Sequence, residues 1–191
     1  FARFQHALHW ARWGEVLRDV QVLRRFNRLL RLRLIRDHLE FVEAEAFAAM
    51  GRTLEWKARV KELANRKMDP SVLWARLSTV YYRAGDRAES MRCRRRAFEL
   101  STEDSNAHLD LAVGIIRIER APEAARIALS SRPSRDATPA ARIFIAFCEG
   151  LIALEEHRAQ AASALLEQTL DMIAEMNDQV TWEGFEHSVK A

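Results

Sequence analysis

The chain has 191 residues, 49% hydrophobic and 30% charged, with a formal net charge of +3. That balance excludes a disordered polymer, which could not bury enough apolar surface to fold. Six glycines and four prolines are too few to punctuate an all-β protein, and no apolar run reaches the roughly 20 residues that cross a bilayer.

The isoelectric point is nonetheless about 9.2. Only Lys57, Lys61, Lys67 and Lys190 are lysines, so nearly all the basic charge is arginine. GC-rich coding explains such a bias blandly; it also supplies planar guanidinium groups suited to carboxylate or phosphate. Cys93 and Cys148 stand alone, without metal-type spacing, and fit a reducing compartment. The expected location is the cytoplasm or the cytoplasmic face of a membrane. The opening Phe1-Ala2-Arg3-Phe4 is neither an initiator methionine nor a signal peptide, and suggests a fragment of a longer protein.

In chain order, helices are expected over 3–12, 14–33, 35–50, 53–67, 71–84, 87–100, 105–118, 122–130, 139–155, 158–176 and 179–189. Trp13-Gly14-Glu15-Val16-Leu17 reads as an inter-helix turn leading into a long amphipathic helix with Val16, Val20, Leu23, Leu30 and Leu34 on one face. Asp69-Pro70 and Thr138-Pro139 each pair a capping residue with proline in the first helical turn. The stretch 130–136 is the clearest loop. Trp182, Phe185 and Val189 give the last segment the look of a capping helix.

A period of 34 runs through the middle of the chain. Gly51 and Gly85 lie 34 apart, with Glu119 at the same place one period later. Phe47, Tyr81 and Ile115 form a large column; Ala44, Ser78 and Ala112 form a small one. Trp74 matches His108, and after the turn Trp56, Ser90 and Ala124 correspond. The small column lets the second helix approach, and the large column fills the space between pairs, at about 1.5–3 kcal/mol for each side chain fully buried. In 136–176 the register is open by one residue: Gly150 supports one alignment, Ile152 with Ala161 the other.

Trp74-Ala-Arg-Leu77-Ser78-Thr-Val-Tyr81-Tyr82, with Gly85-Asp86 and Ala97-Phe98-Glu99-Leu100 downstream, resembles the tetratricopeptide repeat (TPR) family. Ser78, Ser90 and Arg94 depart from its usual glycine, alanine and aromatic. The resemblance implies an all-α solenoid of antiparallel helix pairs wound into a right-handed superhelix. It would make 1–191 one repeat domain: an atypical basic pair over 1–36, clean repeats over 37–135, a divergent repeat over 136–176 and a capping helix over 177–191.

No catalytic or cofactor motif is present, and no enzyme activity or small-molecule substrate is expected. His6 and His9 share a helix face but lack a third ligand, so no metal site is assigned. His108 falls in a packing column. Glu40, Glu43 and Glu45 read as a solvated helix face, and Cys93 among Arg92, Arg94, Arg95 and Arg96 as an ordinary thiol. That arginine run, and Arg24, Arg25, Arg28, Arg31, Arg33 and Arg36, could bind phosphate, but no aromatic residues interleave the former and no nucleic-acid reading motif is present. The basic amphipathic helix at 16–36 leaves membrane-surface contact open.

In TPR arrays the first helix of each pair lines a concave surface. Carried over, the resemblance places there Phe41, Glu45, Ala48 and Ala49; Ala75, Thr79, Tyr82 and Arg83; and Leu109, Val113, Ile116 and Arg117, with Arg76 beside them. The Lys/Asn pairs by which chaperone-type TPRs clamp a terminal carboxylate are missing. The expected function is a protein-interaction scaffold whose groove takes a helix or peptide, an acidic one among the options, anchored at Tyr82, Arg83 and Arg117. The rival expectation is a soluble regulatory or assembly appendage of a larger bacterial protein, a membrane-anchored one among the options. Nucleic-acid binding ranks third.

Overall fold

The structure is a computed structural model that describes residues 12–30, 33–133 and 139–175. Among these, every regular element is helical: α1 (Trp13–Leu30), α2 (Arg33–Ala49), α3 (Thr53–Ala64), α4 (Pro70–Arg83), α5 (Arg87–Leu100), α6 (Ser105–Gly114), a π-helical turn (Ile115–Glu119), α7 (Pro122–Ser130), α8 (Pro139–Glu155) and α9 (Ala159–Glu175). None is long and apolar enough to cross a membrane. The helices expected at 3–12 and 179–189 lie outside the described residues, as do His6 and His9. The chain divides into two compact units, 1–90 and 91–191.

Helix boundaries follow local chemistry. Asp69 caps α4, its carboxylate accepting from the Ser71 and Val72 amides at 2.8 and 3.3 Å, with Pro70 in the first turn where no amide is needed. Asp104 caps α6 through the Asn106 amide. Residues 13–17, expected to be a connecting turn, are the first turn of α1, where Val16 bonds back to Arg12.

The connections between paired helices share one construction. At 50–52 and 84–86 a residue bonds back four positions, the next is a left-handed glycine, and the third closes the motif five positions back. The same three bonds recur at 156–158 around His157. Left-handed residues therefore sit at Gly51 (φ 69°), Gly85 (φ 81°), Arg120 (φ 52°) and His157 (φ 59°). Five positions after each comes a residue whose amide makes the next helix's first bond: Trp56, Ser90, Ala125 and Ala162. All four are buried, at 7%, 0%, 0% and 2% exposure.

This corrects the third period. The left-handed residue is Arg120, not Glu119, and the buried partner is Ala125, while Ala124 is exposed. The π turn is the cause: its wider winding takes up one extra residue and keeps both Ile115 and Ile116 inward, at 7% and 1% exposure. Counting back from His157 also settles the open register. Gly150 joins Ala44, Ser78 and Ala112, and Ala162, not Ala161, is its partner on α9. A Cβ on Gly150 would lie 2.8 Å from Leu166 Cδ2, which explains why the smallest residue stands there.

In unit 1, α2 packs between α1 and α3, and α4 runs against α2. Its core joins Val16 and Val20 to Leu39, Val42 and Ala46. In unit 2, α6 packs on α7 and α8, and α8 on α9. Met91, Leu111, Ile115, Ile116, Ala125, Cys148 and Ile152 form its main core.

The turn geometry predicts opposite outcomes at glycine and non-glycine positions. Gly85→Ala meets no neighbouring atom within 4 Å, so its cost is conformational, about 1 kcal/mol. His157→Gly relieves the same strain and should gain about 0.5–1 kcal/mol in urea denaturation. Equal effects of the two changes would contradict the shared turn.

Candidate functional site

The face with the strongest unspent chemistry in unit 1 is formed by α2 and α4. Arg76 and Arg83 are seven residues apart on α4, two helical turns, and so lie on one side with Thr79 between. On α2, His38 and Glu45 have the same spacing. Burial raises the Glu45 carboxyl above its usual range, and the Arg83 and Arg76 charges pull it back. Partial burial, then Arg76, lowers the His38 imidazole, which keeps it neutral at physiological pH. The Arg83 guanidinium stands 5.2 Å from the Trp13 ring centre, and Arg87 lies 3.8 Å over Tyr82. Neither Arg76 nor Arg83 has a carboxylate within ion-pairing distance among the described residues.

Not every expected groove residue reaches a surface. Phe41, Leu109 and Ile116 are 2%, 3% and 1% exposed, so they pack the interior and present nothing to a partner. Ala48 is buried too, and Val113 packs partly buried on the unit 2 core. Glu45, Thr79 and Tyr82 are half-buried; Arg76, Arg83 and Arg117 are exposed. The carry-over marked hydrophobic positions by register, but register does not reveal what a neighbouring helix covers.

No protein-family model, curated protein or solved structure matches the chain.

Several features that looked available are internally consumed. Glu40 and Glu43, expected on a solvated face, are 7% and 5% exposed. With Asp37 they form a stripe along α2 gripped from both sides. Arg24 of α1 donates to both Glu43 oxygens at 2.9 and 2.8 Å, and Arg59 of α3 lies 2.5 Å from the same carboxylate. Arg66 spans Asp37 and Glu40 at 2.7 and 2.5 Å. In the second arginine run, Arg94 is buried against Asp110, Arg95 pairs with Glu119 and Arg96 with Glu99.

His108 fulfils its packing expectation. It is 4% exposed, edge-on to Phe98 at 4.7 Å, with Nε2 donating to the Thr102 carbonyl at 2.8 Å. No cluster of three metal-ligating side chains occurs among the described residues. Cys93 and Cys148 are both fully buried, and burial pushes the Cys148 thiol up to about 12. In the unfolded chain that thiol ionises near its ordinary value of about 8.5, so the folded state holds the extra proton. Stability should therefore fall as pH rises from about 8.5 towards 12, and Cys148→Ala should flatten that decline. Urea midpoints measured at pH 8, 9 and 10 would check it.

Proposed function

We propose that the chain is a protein-interaction module: a TPR-like array of stacked helix pairs whose α2/α4 face holds an acidic segment of a partner protein. The observation that carries this reading is charge left over on one face. Arg76 and Arg83 both act on the Glu45 carboxyl, neither forms an ion pair among the described residues, and the His38 imidazole is lowered by burial and by Arg76. Two cations against one half-buried acid leave an excess positive charge beside the Trp13 and Tyr82 rings. A carboxylate-bearing helix or strand would find bidentate donors and aromatic surface together.

Three observations support the array. Three helix-to-helix turns share one left-handed construction and a fourth has a left-handed residue, small residues recur at Ala44, Ser78, Ala112 and Gly150, and alternate helices pack on each other as α2 with α4 and α6 with α8. Stacked hairpins of this kind bury their faces only against neighbours, and they commonly serve as binding surfaces.

The test is affinity capture from the source cells with the wild-type chain and with Arg76→Glu/Arg83→Glu. Both arginines are exposed, so the variant should keep its circular dichroism spectrum while losing at least about tenfold in partner capture. Capture that survives in the folded variant would move the binding site elsewhere.

A further inference from the structure

The arginines of unit 1 are held in two ways. Arg24 and Arg59 grip Glu43, and Arg66 grips Asp37 and Glu40, so protein carboxylates take up their donors. Arg83 is held by a ring instead. Its guanidinium carbon lies over the Trp13 indole, 5.2 Å from the centre, inside the roughly 6 Å reach of a cation–π attraction. No carboxylate pairs with it among the described residues.

The two partners come from distant parts of the sequence. Trp13 opens α1 and packs, half-buried, against the cluster of Val16, Val20 and Val42, which fixes the ring. Arg83 closes α4 and is exposed. Helices α1 and α4 both pack on α2, so the contact joins the two neighbours of the helix that carries Glu45. The indole quadrupole attracts the cation without taking up the in-plane N–H donors that match a carboxylate. An exposed arginine gives up rotamer freedom when a partner immobilises it, and one already resting on a ring has less to give up.

We infer that Trp13 is a positioning residue of the α2/α4 face: it holds the Arg83 guanidinium ready for a partner carboxylate, without itself touching the partner. The inference rests on the acidic-segment reading above and adds that α1 sets the strength of that face. Arg87 is held in the same manner over Tyr82, but it begins α5 and lies outside the row of Arg76, Thr79 and Arg83 on α4.

The test uses the full chain and an acidic probe, acetyl-hexaglutamyl-amide, with acetyl-hexaglutaminyl-amide as its uncharged control. Binding is followed at the Thr79 backbone amide in ¹H–¹⁵N spectra, a signal that every variant keeps. The glutamate peptide should bind with Kd of about 1 mM at low salt. Trp13→Leu keeps apolar packing on the core and should weaken binding about three- to fivefold. Trp13→Phe restores a ring and should stay within about twofold of wild type. In an Arg83→Gln background, Trp13→Leu should cost nothing further.

An equal loss from Trp13→Leu with and without Arg83 would overturn the inference, because the ring would then be touching the peptide itself. Wild-type affinity in Trp13→Leu would overturn it too. Both results leave the acidic-segment reading in place as long as Arg76→Glu/Arg83→Glu abolishes binding. If that variant binds the glutamate peptide as wild type does, or the wild type takes both peptides equally, the reading and the inference fall together. Should Trp13→Leu fail to fold, the wild-type chain decides alone. Its Arg83 Nε–H signal should carry an upfield ring-current shift both free and at saturation, and loss of that shift in the bound state would reject the positioning role.

Discussion

Phe41→Ala is expected to cost about 3–5 kcal/mol of stability, the range for removing a buried aromatic side chain. Phe41 is 2% exposed on α2, so the substitution leaves a cavity and forfeits the transfer energy of the ring. In a chain of this length that corresponds to a melting temperature lower by roughly 10 °C. The prediction separates two roles for the same residue. A groove residue would leave the melting curve in place and weaken partner binding; a core residue does the reverse. An unchanged melting temperature would return Phe41 to the surface.

Glu43→Ala should be the most damaging change to a charged residue in unit 1, at roughly 2–4 kcal/mol. Glu43 is 5% exposed and answers Arg24 from one side and Arg59 from the other, so a single carboxylate joins α1, α2 and α3. Removing it leaves two guanidinium groups without the carboxylate they share. The arginine side chains are 25% and 29% exposed, which keeps the expected cost below that of a fully sealed pair. Glu43→Gln keeps the shape and removes the charge, and should recover only part of the loss. Double-mutant cycles in urea with Arg24→Gln should give a coupling of about 1–2 kcal/mol. A coupling near zero would mean that the bidentate contact contributes nothing net. Exposed pairs such as Arg52 with Glu55 should show almost none.

The register corrections have a common physical origin. Gly51 and Gly85 announce their turns because a left-handed residue favours glycine, and Asp69-Pro70 announces a helix start by its capping chemistry. Arg120 and His157 adopt the left-handed conformation without that signature, so the third and fourth turns could be located only to within a residue. The π turn at Ile115–Glu119 is equally silent in sequence, because an isoleucine-rich helix end reads the same at either winding.

The candidate sites divide in the same way. Arg76, Thr79 and Arg83 were named through the repeat resemblance, and α4 carries all three within two turns. Phe41, Leu109 and Ile116 followed the same spacing into the interior, since which helix covers a face is decided by packing.

From sequence alone came the all-helical class, most helix limits, the small column at Ala44, Ser78 and Ala112, and the packing role of His108. These depend on periodicity, capping and side-chain size, which are properties of neighbouring residues. The tertiary structure decided the extra residue in the third period, the alignment of Gly150 with Ala162, and the change of Glu40 and Glu43 from solvated to buried and paired. It also showed which carboxylates Arg24, Arg59 and Arg66 pair with. Each of these depends on which helices meet, and pairing across 19 to 29 residues, as between Arg24 and Glu43 or Asp37 and Arg66, leaves no periodic trace in the chain.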